Sequence, residues 1–67
     1  MAQHWSTFVN VTDRQARALD KMADAHDFRS GRELLMDIAG CSSSKLSKMD
    51  RLTIQRLVDE AFTKYGR

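Results

Sequence analysis

Proline is missing from this 67-residue chain, and cysteine occurs once, at Cys41. A lone cysteine cannot form an internal disulfide, and a free thiol is typical of a reducing compartment, so we expect a cytoplasmic protein. No apolar run approaches the roughly 20 residues that a membrane span needs. The first residues also lack the basic start and continuous apolar stretch of a signal peptide. A chain this short predicts one domain, and the absence of proline favours helices.

Signatures of catalysis are also lacking. The chain has no glycine-rich phosphate loop and no G-x-S-x-G motif. Its only histidines, His4 and His26, and its single Cys41 are too few and too scattered for a zinc site. We therefore predict no enzyme activity, catalytic residue, metal, cofactor or small-molecule substrate, which leaves binding as the class of function.

The central stretch, residues 30–40, predicts a short helix. Ser30 and Glu33 have the spacing of a capping box, in which each side chain bonds to the other residue's backbone N–H. Gly40 suits the left-handed conformation that ends a helix. A helix of about nine residues is not stable alone in water, so its apolar side must be covered by neighbouring segments.

Longer amphipathic helices are predicted on both sides of this segment. Thr12 and Gln15 form a second capping box, and the helix that follows ends near His26, which we interpret as a helix-end residue. Ser47 is a fair start for the last helix, and Ser44 is a competing start. The apolar face of this helix has the strongest helical spacing in the chain: Ile54, Leu57, Val58, Ala61, Phe62 and Tyr65.

The sequence thus predicts an all-α fold, a compact three-helix domain over residues 12–67 with helices at about 13–26, 31–39 and 48–64. Residues 1–11 are predicted as an N-terminal arm. Val9 and Val11 alternate with Asn10, so part of the arm forms either a short strand or an extended segment lying over a helix. Trp5 is interpreted as a core or interface anchor.

Basic residues suggest one class of partner, DNA. Arg14, Arg17 and Lys21 recur at helical spacing along one stripe, while the chain as a whole has a net charge of only +2. Cations near helix starts can hold phosphates, although a helix face of charges is often only a solvated surface. The predicted nucleic-acid-binding residues are Arg14, Arg17, Lys21, Arg29, Arg32, Lys45, Lys48 and Asn10.

Apolar residues outside the predicted core suggest a protein partner instead. Met49 and Leu52 fall off the apolar face of the last helix, and they either seal the preceding link or face a partner. The predicted partner-binding residues are Trp5, Phe8, Met36, Met49 and Leu52. The two hypotheses are therefore a small DNA-binding regulator that forms a homodimer, and an adaptor or inhibitor that docks on another protein.

From Thr12 onward the chain resembles a small helical module of Mu-like phage regulatory proteins of the GemA type, which is also appended to some phage single-strand annealing recombinases. The resemblance implies a role in the DNA metabolism or gene control of phages or mobile elements, including transcription regulation. It is carried by Thr12-x-x-Gln15-x-x-x-Leu19, Glu33-Leu34-Leu35-x-x-Ile38-x-Gly40, Ser43-x-Lys45-Leu46-Ser47 and Leu57-Val58.

Residues 7–38 also look like a ribbon-helix-helix DNA-binding domain. The strand would be Thr7-Phe8-Val9-Asn10-Val11-Thr12, followed by a helix that contains residues 19–24. This resemblance implies that alternate strand side chains enter the major groove from a dimer's two-stranded ribbon. Asn10 would then point outward, and its amide would suit adenine.

Overall fold

Four α-helices and one short 3-10 turn form the part of the chain that the computed structural model describes, residues 4–66. Residues 1–3 of the predicted arm and Arg67 lie outside it. The turn is Trp5–Thr7, and the helices are α1 (Asp13–Ala25), α2 (Gly31–Ala39), α3 (Ser43–Ser47) and α4 (Arg51–Tyr65). The predicted all-α class is confirmed, and residues 4–66 contain no strand. The predicted short strand is therefore absent from the described part of the arm, and the predicted extended segment is instead the 3-10 turn Trp5–Thr7 followed by a turn over residues 8–10, which packs against the core through Trp5 and Val9.

Helix α1 begins and ends with specific backbone contacts. The predicted capping box is present: the Gln15 N–H donates to Thr12 Oγ1, and the Thr12 N–H donates to Gln15 Oε1, both at 3.1 Å. After the C-cap His26, Asp27 takes a left-handed φ of 64°, and the Phe28 N–H donates back to the Ala23 carbonyl at 2.8 Å. This arrangement satisfies the last carbonyls of α1 and turns the chain towards α2.

Helix α2 has the predicted bounds, but it does not start as predicted. Ser30 is its extended N-cap residue, yet the Ser30 side chain makes no capping hydrogen bond, so the predicted Ser30–Glu33 box is wrong. Asp20 of α1 takes over this role, since its Oδ1 accepts the first N–H of α2, that of Gly31, at 2.8 Å. The C-terminal prediction is confirmed, because Gly40 has a φ of 64°.

The predicted third helix, about 48–64, is α4, which starts three residues later, and the predicted link before it contains the short helix α3. Ser42 starts the short α3 by accepting the Lys45 N–H, and Asp50 starts α4 by accepting the Thr53 N–H at 2.8 Å. Neither Ser47 nor Ser44 is a cap: Ser44 lies inside α3, and the Ser47 hydroxyl donates back to the Ser43 carbonyl at 3.1 Å. Because Ser42 and Asp50, eight residues apart, each cap a helix, residues 43–65 form the one-turn helix α3 and the long helix α4.

A single apolar core joins the helices and the arm. Trp5 retains 7% of its exposure and Val9 retains 5%, so the arm contributes to the core. Gly31 lies where the arm, α1 and α2 meet, and a Cβ built on it would lie 2.6 Å from Leu19 Cβ and 2.7 Å from Trp5 Cζ2. The remaining core residues are Ala16, Leu19, Ala23, Leu34, Leu35, Leu46, Ile54, Val58 and Ala61.

Helices α1 and α4 run in the same direction. Near their starts the Gln15 amide donates to Gln55 Oε1 at 2.8 Å, and the Gln55 amide also donates to the Asn10 carbonyl at 3.4 Å. At their ends the His26 and Tyr65 rings meet edge to face, 4.9 Å between centroids. The starts of both helices and the arm therefore lie at one end of the molecule. None of the helices within residues 4–66 is long and apolar enough to cross a bilayer.

Candidate nucleic-acid and partner surfaces

The Asp20 carboxylate holds the arm, α1 and α2 together. Its Oδ1 accepts both the Trp5 indole N–H, at 2.9 Å, and the Gly31 backbone N–H, at 2.8 Å. Its Oδ2 lies 2.8 Å from His4 Nε2, which donates to it. Three donors from two segments, the arm and the start of α2, thus share one carboxylate of α1. The negative charge lies at the start of α2, where the helix dipole favours it.

The electrostatics of Asp20 follow from these contacts. Partial burial by itself raises the pKa of Asp20, but the hydrogen bonds from the Gly31 N–H, the Trp5 indole and His4 together outweigh it. The pKa of Asp20 therefore lies below its ordinary 3.8. The group is ionised at neutral pH, so it acts as an acceptor only.

His4 continues this hydrogen-bonded chain into the arm. Its Nδ1 lies 2.8 Å from the Ser6 hydroxyl and also accepts the Ser6 backbone N–H at 3.2 Å, which makes His4 the N-cap of the 3-10 turn. Ser6, His4 and Asp20 follow the order of a hydrolase triad. The depression beside Ser6 is lined by the Asp13 carboxylate as well as by Arg17, and a carboxylate there would repel the developing oxyanion that a triad must stabilise. We therefore interpret the contacts as a clamp on the arm.

All eight predicted nucleic-acid residues lie within the described part of the chain, but they do not form one patch. Arg14, Arg17 and Lys21 are exposed along the solvent side of α1. Arg32 is partly buried in α2, and its Nε is buried with no hydrogen-bond partner among residues 4–66. The side-chain amide of Asn10 donates to the Met49 carbonyl at 2.8 Å, so it holds the arm against the start of α4. The others are exposed in the links and in α3: Arg29, Lys45 and Lys48.

The structure brings four cations to the end where α1 and α4 begin. Arg17 lines a depression on one side of Ser6, and Arg51 lines another depression that also includes Ser6. Arg14 lies in the first turn of α1, and Lys48 precedes Met49, whose carbonyl contacts the arm. We call this group, Arg14, Arg17, Lys48 and Arg51, the basic end.

None of the basic-end cations forms an ion pair with a carboxylate of residues 4–66. The four cations outnumber the two carboxylates at the starts of the same helices, Asp13 of α1 and Asp50 before α4. The Thr53 hydroxyl and backbone N–H hold the pKa of Asp50 below its ordinary value, with a smaller contribution from Arg56. Asp50 therefore stays ionised while it caps α4, and four cations against two carboxylates leave the basic end with a positive excess.

The opposite end of the molecule is acidic. A groove between the end of α2 and the second half of α4 is lined by Asp37, Ile38, Asp59, Glu60, Thr63 and Lys64. The Tyr65 hydroxyl donates to Asp37 Oδ2 at 3.0 Å, which ties the ends of these two helices together. The molecule is thus polarised, with cations around the helix starts and carboxylates near the helix ends.

The predicted partner-binding residues divide into buried and exposed ones. Trp5 is a core residue, as its interpretation as a core anchor requires, and Met36 and Met49 are partly buried against the core. Phe8 is 55% exposed and Leu52 is 77% exposed. Phe62, which sequence periodicity assigned to the apolar face of the last helix, is 40% exposed.

Sequence reasoning missed Arg51 and Arg56. Both lie in the first half of α4, which contains no carboxylate, and that local imbalance is the signal that identifies them. No group of three or more His, Cys, Asp or Glu side chains within residues 4–66 is arranged to hold a metal ion.

Comparison with known proteins gives no relative. A scan against protein-family models, a search of curated proteins and a search of solved structures each find no match.

Proposed function

We propose that this protein is a small, non-enzymatic DNA-binding regulator that holds the phosphate backbone at the basic end. The observation that carries the proposal is the grouping of Arg14, Arg17, Lys48 and Arg51 around the arm, without ion pairs to the carboxylates of residues 4–66. Cations without a carboxylate partner are free to replace the counterions of a nucleic acid, and that release supplies most sequence-independent affinity.

Two further features support this proposal. Helices α1 and α4 both begin at the basic end, so the positive ends of two parallel dipoles add to the side-chain charge. The acidic groove lies at the other end, near the C-terminal half of α4, and phosphates would be repelled there. One end of the molecule is thus favoured for contact with DNA. The proposal also includes the cytoplasmic location and the phage or mobile-element context that the sequence resemblance implies.

The test is fluorescence anisotropy of a labelled duplex at several salt concentrations. We expect binding at about micromolar protein that weakens steeply with salt. Arg14→Glu and Arg51→Glu are expected to weaken binding at least about 10-fold each, because each reverses a charge that faces phosphate. Lys64→Glu makes the same charge change at the other end of α4 and is the matched control.

Two results would overturn the proposal. One is the absence of any salt-sensitive binding at protein concentrations of about 100 µM, the weak limit of non-specific DNA binding. The other is an equal loss of affinity in Lys64→Glu, which would mean that only the net charge of the chain matters. Circular dichroism of each variant checks that the helices are retained.

A protein-binding adaptor is the second candidate, and the exposure of Phe8, at 55%, is the observation that favours it. An exposed aromatic side chain on the arm is a suitable anchor for a partner pocket. A pull-down from lysate with and without nuclease separates the two candidates. Partners captured through DNA disappear after nuclease treatment, whereas a directly bound protein remains and is lost in Phe8→Ser.

A further inference from the structure

The outer face of α4 is exposed along its whole length. Leu52, Arg56, Asp59, Glu60 and Thr63 recur at spacings of three and four residues, so they form one stripe on the helix. All five are exposed, and Leu52, at 77%, is the most exposed of the large apolar side chains in residues 4–66. No described residue forms a hydrogen bond or ion pair with the Arg56 or Glu60 side chains.

Charge is sorted along this outer face. Its first half carries Arg56 beside Leu52, and its second half carries the carboxylates of Asp59 and Glu60. The second half also borders the acidic groove, where Ile38 of α2 supplies apolar surface beside Thr63, and Lys64 is the one cation in the lining. The first half of the face is therefore apolar and positive, and the second half is negative and lies beside the apolar surface of Ile38.

We propose that a second copy of this chain covers the outer face of α4, with the two α4 helices antiparallel about a two-fold axis between Arg56 and Asp59. In that arrangement Arg56 of each copy meets Asp59 and Glu60 of the other. Leu52 of each copy enters the groove beside Ile38 of the other. The pairing is self-complementary, as a two-fold interface must be, so each residue contact occurs twice in the dimer.

Charge complementarity favours a second copy of this chain, with its α4 antiparallel, as the partner for the outer face of α4. A parallel pairing would set Arg56 against Arg56 and Glu60 against Glu60, which repel, whereas the antiparallel pairing replaces these two like-charge contacts with contacts between Arg56 and Glu60. Antiparallel helices also align their dipoles favourably. The interface removes Leu52 from water. Of the basic end, Arg14, Arg17 and Lys48 lie outside the contact, and Arg51 lies beside Leu52 at its edge. The sorted charges of α4 carry this inference, so it holds whether or not the protein binds DNA.

Sedimentation equilibrium of the purified chain without nucleic acid tests this proposal. As the concentration rises from about 10 µM to about 1 mM, we expect the mass to approach twice the 7.7 kDa of the chain. Leu52→Glu and Arg56→Glu are each expected to weaken the dimer at least about 10-fold, because they place a carboxylate against Asp59 and Glu60. Lys21→Glu, on the solvent side of α1, is the matched control and is expected to dimerise as the unaltered chain does.

Charge exchange distinguishes loss of the interface from loss of the fold. The Arg56→Glu variant and the Glu60→Arg variant are each expected to remain monomeric on their own. They are expected to form dimers when the two variants are mixed, or when both changes are made in one chain, because residues 56 and 60 then carry opposite charges across the interface. The proposal is overturned if the unaltered chain keeps the monomer mass at all concentrations, or if it forms open-ended assemblies larger than a dimer. It is also overturned if mixing the two variants, both still helical, does not restore dimer formation. Dimerisation of Leu52→Glu as strong as that of the unaltered chain would also overturn it, since the contact would then use another face.

Discussion

Replacing Asp20 with alanine tests how strongly the arm is held. The change leaves the Trp5 indole N–H and the Gly31 backbone N–H without their acceptor, and both residues are buried. A buried donor without a partner costs about 1–3 kcal/mol. Because the Asp20 side chain is 35% exposed, water replaces part of the lost contacts. We therefore expect a loss of about 2 kcal/mol in the free energy of unfolding, near the lower bound for two such donors.

Urea denaturation followed by circular dichroism measures this loss, and in a thermal melt it corresponds to a decrease of about 10 °C in the midpoint. Asp20→Asn is expected to cost less, about 1 kcal/mol, since its amide oxygen still accepts from Trp5 and Gly31. Asp24→Ala, an exposed aspartate one turn along α1, is the matched control and is expected to change stability by less than about 0.5 kcal/mol. A cost for Asp20→Ala no larger than that of Asp24→Ala would refute the clamp.

The pH dependence of the Asp20 effect has a definite sign. The pKa of Asp20 in the folded chain lies below the ordinary 3.8, so the unfolded chain takes up this proton first as the pH falls. The stabilisation is complete well above pH 3.8 and is lost as the pH falls through the folded-state pKa. The stability difference between the unaltered chain and Asp20→Asn is therefore expected to shrink in acid. A difference that grows in acid would contradict the assignment.

Three further substitutions test other features. Gly31→Ala is expected to destabilise the fold by about 1–3 kcal/mol, measured by urea denaturation, because the new Cβ overlaps Leu19 Cβ and Trp5 Cζ2 and overpacks the core; a stabilised variant would show that the contact relaxes freely. Asp27→Gly is expected to raise the free energy of unfolding by about 0.5–1 kcal/mol in the same assay, since glycine takes the φ of 64° without the strain of a side chain. Arg17→Ala is expected to weaken duplex binding and to lower the slope of affinity against salt by about 0.9, and an unchanged slope would remove Arg17 from the basic end.

The sequence predicted those parts of the fold that depend on local contacts. The Thr12 capping box and the left-handed Gly40 need only residues within a few positions of each other, and both are present. The Ser30 box is absent, and the Asp20 carboxylate, eleven residues before Gly31, accepts the first N–H of α2 instead. The start of the last helix was misplaced because Asp50 and Ser47 are both acceptable caps, and the choice between them depends on packing.

The candidate surfaces were less predictable than the helices. Helical spacing showed that Arg14 and Arg17 share a stripe, but it carries no information on which helix start lies beside them. The basic end exists because α1 and α4 run in the same direction, and this direction is set by contacts such as Gln15–Gln55, forty residues apart. Likewise the amide of Asn10 has its partner at Met49, which no local pattern indicates.

The position of Asp20 also has a consequence for the order of folding. Its contacts with Trp5, His4 and Gly31 span 15, 16 and 11 residues, whereas the Gln15–Gln55 contact spans 40. Closing a short loop costs less chain entropy than closing a long one. The Asp20 contacts therefore cost less chain entropy to form than the contact that fixes α4 beside α1, and we expect the arm, α1 and the start of α2 to associate more readily with each other than with α4.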